Sequence, residues 1–311
     1  MSLLVVGSVA YDSVETPSGK VDQALGGSAT FFSISASFFS PVRLVACVGN
    51  DFKAEDRFLL ESRNVDLEGL EVISGETFRW KGFYGEDLNE AQTLETHLNV
   101  FAGFSPKIPL RYQSSEYVFL GNIDPHLQKN VVSQIKGPKI VACDTMNYWI
   151  QGAYDSLLET LKYVNILIIN DAEAKQLTND KSLIRAAHRI LELGPVTLIV
   201  KRGEYGVTMF HRDKSSHISA FAIPAYPIAD VVDPTGAGDT FAGGFMGFLA
   251  GSNRTDFEAM KQAVVFGSVM ASFNVEKFSL NRLRELTFTE VQMRFKEFRQ
   301  LVQFENPPDL D

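Results

Sequence analysis

The run Val232-Asp233-Pro234-Thr235-Gly236-Ala237-Gly238-Asp239-Thr240-Phe241-Ala242-Gly243-Gly244 leads from a turn straight into an apolar helical stretch. Gly236 and Gly238 carry no side chains, so several backbone N–H groups can converge there unobstructed. A helix N-terminus adds the positive end of its dipole, which makes the turn an anion site. Asp239, in the first turn of that helix, reads in two ways. It is either an acid that complements the helix dipole, or a general base that takes a proton from a hydroxyl attacking phosphorus beside the anion hole. Two other phosphate-binding patterns are excluded by the letters. Gly236-x-Gly238-x-x-Phe241 lacks the third glycine of a dinucleotide fingerprint and lies far from the N-terminus. The only Gly-Lys pair, Gly19-Lys20, is followed by Val21, so there is no P-loop.

Four further clusters fall at the ends of apolar runs. Asn170-Asp171-Ala172-Glu173 follows Ile166–Ile169, and Asn170 and Glu173, three apart at a helix start, can face one polar location, directly or through magnesium-bound water. The same spacing is also an ordinary helix-capping device. Lys201-Arg202-Gly203-Glu204-Tyr205-Gly206 is a second strand end, readable as a ligand loop or as a tight turn into the next strand. Asp12 follows the first strand and Gly26-Gly27 precedes a helix; the carboxylate can accept from ligand hydroxyls and the glycines let backbone approach a small polyol. Val48-Gly49-Asn50-Asp51 reads as structural. None of the five histidines has a metal-like partner at useful spacing, and no nucleophile motif occurs, so zinc and hydrolase chemistry drop out.

Strands alternating with helices must position these clusters. Leu3–Val6 opens as a strand, Ser28–Phe39 is a helix of small residues and Phe stopped by Pro41, and Val42–Val48 is a near-continuous apolar strand. Lys53–Arg63 is amphipathic. From about Leu70 to Arg111 the pattern changes to alternating and polar residues. The βα rhythm then resumes with strands at Tyr117–Leu120, Ile140–Cys143, Ile166–Ile169 and Val196–Val200, separated by helices at Pro125–Ile135, Ala153–Leu161 and Leu183–Leu193. Val207–Phe210 and Ser216–Ala222 form a hairpin, and the last hundred residues are mostly helical. The expected fold class is α/β, a mostly parallel sheet flanked by helices, as one domain over residues 1–311. A small β lid is expected from about 13–24 and 72–112.

Composition narrows the partners. The 311 residues are 45% hydrophobic and 22% charged, which excludes a wholly disordered chain and a fibre. Net charge is −9 and the basic residues are scattered, so neither nucleic acid nor an anionic membrane is an expected partner. The first basic residue is Lys20, and Tyr11 and Asp12 interrupt the opening apolar run, so no signal peptide is read and a cytoplasmic location is expected. Cys47 and Cys143 lie in strand-like runs and are expected to be reduced core residues.

Taken in order from Gly7 to about Leu286, these clusters resemble the ribokinase-like family of carbohydrate kinases, the phosphofructokinase-B type, and the DPTGAGDTFAGGF run is its most specific part. The resemblance implies that Asp239 is the catalytic base and that Gly236, Ala237 and Gly238 form the anion hole for the transferring phosphoryl group. It implies ATP and magnesium as cofactors, with Asn170 and Glu173 governing magnesium and phosphate. Lys201, Gly203 and Gly206 match the nucleotide loop, and Asn274 falls near the adenine-side wall. Asp12, Gly26 and Gly27 match contacts to substrate hydroxyls. Asp233 and Thr235 match positions that bind potassium in several members.

Three departures bear on the substrate. Phe31 stands where the family often has a polar Asn contact, and Asn122 falls near a position that carries a substrate-binding acid in ribokinase itself. Tyr148, in Asp144-Thr145-Met146-Asn147-Tyr148-Trp149, replaces a common Arg. These changes disfavour a highly charged sugar phosphate. Phe78, Trp80, Phe83, Tyr84, Phe101 and Phe104 crowd the lid, where they either pack its strands or form a homodimer contact, or else line the acceptor pocket. The expected activity is ATP-dependent phosphorylation of a primary alcohol on a small sugar, with a nucleoside (adenosine-like) as the alternative acceptor. A sugar or nucleotide sensor without turnover is the rival of another class; a dehydrogenase ranks below it.

Overall fold

The computed structural model describes residues 2–89 and 91–303. In chain order the strands are β1 (Leu3–Val6), β2 (Ala10–Thr16), β3 (Gly19–Gly26), β4 (Val42–Val48), β5 (Val65–Val72), β6 (Phe78–Tyr84) and β7 (Ala91–His97). They continue with β8 (Tyr117–Leu120), β9 (Ile140–Asp144), β10 (Ile166–Asn170), β11 (Thr197–Lys201), β12 (Val207–Arg212) and β13 (Ile218–Ile223). Nine of them form one sheet in the order β13-β12-β11-β10-β9-β8-β1-β4-β5. All neighbours run parallel except at β11–β12 and β12–β13, so the expected α/β fold with a mostly parallel sheet is what the chain adopts.

Side-chain alternation explains the near-continuous apolar runs. Leu3 and Val5 of β1 enter one core while Leu4 and Val6 enter the other. The first core holds the Ser28–Ala36, Ala237–Ser252 and Phe257–Asn274 helices; the second holds the Pro125–Gln134, Tyr154–Leu161, Asp171–Thr178 and Leu183–Glu192 helices. Both cysteines are free and buried there. The glycines that follow Asp239 serve packing. A Cβ at Gly243 would lie 2.4 Å from the Phe32 carbonyl oxygen and one at Gly247 2.8 Å from Ala36 Cα, so the helix can approach Ser28–Ala36 only as glycine. Among the described residues no helix is long and apolar enough to cross a membrane.

The strand order turns back at β1: β4 and β5 lie on one side, β8 to β13 on the other. In open parallel sheets the crevice at such a switch point, beyond the C-terminal strand ends, is where ligands bind. Over that end sits a second sheet in the order β3-β2-β6-β7. Its strands begin at Ala10 and reach Gly26, beyond the 13–24 expected, and the later pair spans only Phe78 to His97. Residues 99–112, expected to belong to the lid, turn back instead through two 3-10 segments and bury Phe104, Ile108 and Tyr112 in the second core. Pro106 and Pro109 prevent strand pairing there, so the apolar side chains bury through turns. β5 is not expected as a strand because its edge position leaves three acidic residues in it, Asp66, Glu68 and Glu71, which mask the alternation.

The Val48–Asp51 strand end ties the lid to the main sheet, as its structural reading expected. Asp51 accepts from the Thr77 N–H and hydroxyl, both at 2.7 Å, and from Arg79 Nη2 at 2.9 Å. Thr77 Oγ1 in turn accepts from the Gly49 N–H.

Candidate active site

The glycine turn is held from behind. Asp233 is 1% exposed; its carboxylate accepts from the Thr235 N–H at 2.9 Å and the Ser279 N–H at 2.8 Å. Gly236 adopts the left-handed φ of 72° that a side chain would disfavour, and the Thr240 N–H takes the Gly236 carbonyl at 2.8 Å as the first helical bond. The Ala237 N–H is taken by the Pro234 carbonyl at 3.1 Å, so of the expected anion-hole donors the Gly236 and Gly238 N–H groups are the ones left at the helix start. Phe31 is 2% exposed, and its ring occupies the place of a Gly236 Cβ, at 2.3–2.5 Å. The ring, expected at the acceptor, packs against the turn and supports it.

Asn274, expected near the adenine side, is 0% exposed; its Nδ2 donates to the Thr235 carbonyl at 2.8 Å and its Oδ1 accepts from Thr240 Oγ1 at 3.1 Å. A buried amide with both ends satisfied is a brace, here one that fixes the two ends of the glycine turn.

Three neighbouring strands aim their last residues at this turn. Lys201 ends β11 opposite Asn170, and Asp144 ends β9 opposite Ile168. Lys201 Nζ lies 3.5 Å from Asp144 Oδ2 and 2.8 Å from where a Gly238 Cβ would stand. Asn170 and Glu173 form the reciprocal cap: Asn170 Oδ1 accepts from the Glu173 N–H and Glu173 Oε2 from the Asn170 N–H, both at 2.8 Å. The capping alternative is thus realised, and it leaves the other Glu173 oxygen to the cluster. Gly206, with φ 88°, closes the tight turn after β11 through its carbonyl to the Arg202 N–H. Gly203 faces the lid, with Asn89 against it.

The charges are mutually strained. Burial raises Asp239 to about 7; the Asp144 charge adds to the rise and Lys201 opposes it. Glu173 also stands at about 7, again through burial first, with Asp144 adding and Lys201 opposing. Burial raises Asp144 as well, against Lys201. Burial would lower Lys201, yet Asp144, Glu173 and Asp239 outweigh it and hold the ammonium charged. Asp144 was not singled out from the sequence as a site residue, although it ends an apolar strand as Asn170 and Lys201 do.

On the acceptor side, Asp12 is buried against the glycine pair. Its Oδ2 accepts from the Gly27 N–H at 3.3 Å, and a Cβ at Gly26 would overlap that oxygen at 1.9 Å. Burial, with the Asp233 and Asp239 charges, raises it to about 7 against the Gly27 bond. Tyr84 of the lid reaches the glycine turn, its hydroxyl accepting from Thr235 Oγ1 at 3.4 Å. Asn122 is occupied at the β8 end: its Oδ1 accepts from Trp149 Nε1 at 2.9 Å and its Nδ2 faces Met146 Sδ at 3.0 Å. One edge of the cleft therefore carries Asp12 and the glycine pair, the other carries Lys201, Asp144 and Glu173, and Asp239 at the helix start lies between them. That is a layout for bringing a hydroxyl to an anionic group.

Comparison with known proteins shows the family. The sequence pattern of the pfkB family carbohydrate kinases matches residues 2–285. The cytidine kinase of Thermococcus kodakarensis is 30% identical over 260 residues, covering 82% of this chain and 89% of that protein. The crystal structure of the Methanocaldococcus jannaschii nucleoside kinase superposes with a TM-score of 0.74 at 22% identity, covering 95% of this chain and 98% of that one. A putative ribokinase II from E. coli, in complex with ATP and Mg²⁺, gives 0.77 at 18% identity over 95% and 99% of the two chains.

Proposed function

The chain belongs to the pfkB family of carbohydrate kinases, and on that premise we propose that it transfers the terminal phosphoryl group of ATP to a primary alcohol on a ribose-like ring. The observation that carries the reading is Asp239 between Asp12 and Lys201 at an open, glycine-lined helix start. Asp12 and the Gly26-Gly27 backbone orient the acceptor by its hydroxyls. Asp239, with a pKa near the working pH, takes the proton of the attacking hydroxyl. Lys201 and the Gly236 and Gly238 N–H groups face the phosphoryl oxygens. Phosphoryl transfer is mostly positioning and electrostatics, so these parts are sufficient on the protein side.

Magnesium fits the donor set. Among the described residues no group of three or more acidic, His or Cys side chains forms a metal cage. Nucleotide-bound magnesium needs only one or two carboxylates beside the phosphates, and Glu173 and Asp144 approach the same space. When bound, the ion supplies charge neutralisation between the phosphates. A monovalent cation fits beside Asp233, a buried carboxylate whose hydrogen-bonded partners are two backbone N–H groups rather than a cationic side chain. Replacing potassium by tetramethylammonium at matched ionic strength is expected to lower kcat; equal rates would remove the cation from Asp233 and Thr235 and leave the kinase reading intact.

The decisive measurement is ADP formation from ATP with a panel of free sugars and nucleosides, each with and without magnesium. Magnesium-dependent turnover of at least one acceptor is expected. Nucleotide binding with no turnover of any acceptor would favour the sensor. A free sugar was the leading acceptor expected from sequence; the 30% identity with a cytidine kinase supports the nucleoside alternative.

A further inference from the structure

We propose that the indole of Trp80 is the platform for a planar base, which makes the acceptor a nucleoside rather than a free sugar; this rests on the kinase reading above. The lid register decides which side chains face the site. Asp12 of β2 is paired with Trp80 of β6, and the pairing runs unbroken from Ala10–Phe78 to Glu15–Phe83. Asp12, Trp80, Gly82 and Tyr84 therefore share one lid face. Asp12 bonds the Gly27 N–H and Tyr84 touches Thr235, so this face looks onto the glycine turn.

Trp80 is built as a shelf on that face. A Cβ at Gly82 would lie 2.0–2.8 Å from three atoms of the indole ring, so the ring lies flat across the glycine. Its Nε1 donates to Thr93 Oγ1 at 3.2 Å, which fixes the ring in plane and occupies its one polar atom. What the half-buried ring can offer a ligand is its π face. Other lid aromatics already have partners: Phe78 stacks on Phe101 at 5.4 Å between centroids, and Phe101 on Phe104 at 5.2 Å. Among the described residues no ring stacks on Trp80.

The size of the shelf selects the ligand. Neighbouring strands lie only about 4.7–4.9 Å apart, so Asp12 and Trp80, paired across the parallel strands β2 and β6, are immediate neighbours. One furanose held through its hydroxyls by Asp12 fills that span, while the indole extends beyond it toward β7. A free sugar drawn onto the indole would leave Asp12. A nucleoside satisfies both, with its ribose on Asp12 and its base on Trp80. Base stacking on an aromatic side chain is sequence-tolerant, so the shelf selects for a base without choosing which.

The test compares cytidine, adenosine and ribose as probes. Wild-type kcat/KM is expected to be higher for a nucleoside than for ribose. Trp80→Ala should raise the nucleoside KM about 5- to 150-fold and leave the ATP KM unchanged, with Trp80→Phe recovering most of the loss. Binding is read separately: nucleoside, but not ribose, should quench tryptophan fluorescence in the wild type, and the quench should be absent in Trp80→Ala. A wild-type preference for ribose overturns the base platform and leaves the kinase reading standing. So does a Trp80→Ala KM change that is equal for ribose and nucleoside, or absent. If no acceptor supports ADP formation, the kinase reading fails, and the quench alone then decides whether Trp80 binds a base.

Discussion

Asp239→Asn is expected to lower kcat by about 10²–10⁴-fold while ATP binding and the fold persist. The amide keeps the shape of the side chain and its place in the first helical turn, but it cannot accept the acceptor's proton. In the wild type the same group should impose an acid limb: kcat/KM rises with pH through about 7, because burial and Asp144 hold Asp239 protonated below that. Stability should respond in the opposite sense. A carboxyl raised from 3.8 to about 7 on folding contributes stability that is fully present below the unfolded value and is lost as pH rises through the folded one. The Tm of Asp239→Asn should therefore gain on the wild type as pH increases from 4 to 8. Steady-state assays and thermal scans across that range check both. Near-normal turnover in the variant would return Asp239 to the role of a dipole partner.

The parts of the site that were legible in the sequence are those set by local backbone. Gly236 must be glycine because its φ is 72°, and Gly27 because its φ is 91°; both signals sit in a few adjacent letters. Strand ends were legible for the same reason, since apolar runs that stop at Asn170 or Lys201 mark the edge where ligands bind. What local pattern does not carry is the direction of a side chain after tertiary packing. Asn274 and Phe31 stand within or beside apolar helical runs, and only the crossing of the Ser28–Ala36 and Phe257–Asn274 helices with the Ala237–Ser252 helix turns them inward, under the glycine turn.

The lid shows the same limit at larger scale. The alternation Phe78, Trp80, Gly82, Tyr84 announces a strand, yet which face looks at the site depends on its pairing with β2, some 68 residues away. Residues 99–112 were assigned to the lid because they are aromatic and irregular. Their destination in the second core depends on a pocket that β1, β4 and the helices beneath them supply. Asp144 carries no local signal of its role; its meaning comes from Lys201, which is remote in sequence and 3.5 Å away in space.

Lys201→Met and Asp144→Asn are expected to move the acid limb of kcat/KM in opposite directions. Lys201 lowers the pKa of Asp239 and of Glu173, whereas Asp144 raises both. Without the ammonium, three buried or half-buried acids face one another and each becomes harder to ionise. The limb of Lys201→Met should therefore shift to higher pH. Its kcat at pH 7 should also fall by about 10²–10³-fold, since a preorganised positive charge facing the phosphoryl oxygens is lost as well. In Asp144→Asn the carboxylate that opposes ionisation of Asp239 is gone, so the limb should shift to lower pH. Its kcat suffers separately, because Lys201 loses the partner that holds it over Gly238. The direction of the limb is thus independent of the size of the rate loss, which separates electrostatic coupling from mere disruption of the site. Full pH–rate profiles of both variants at fixed ionic strength measure it. Limbs that move the same way, or not at all, would mean that Asp239 is not the titrating base and that the cluster around Lys201 only holds strand ends together.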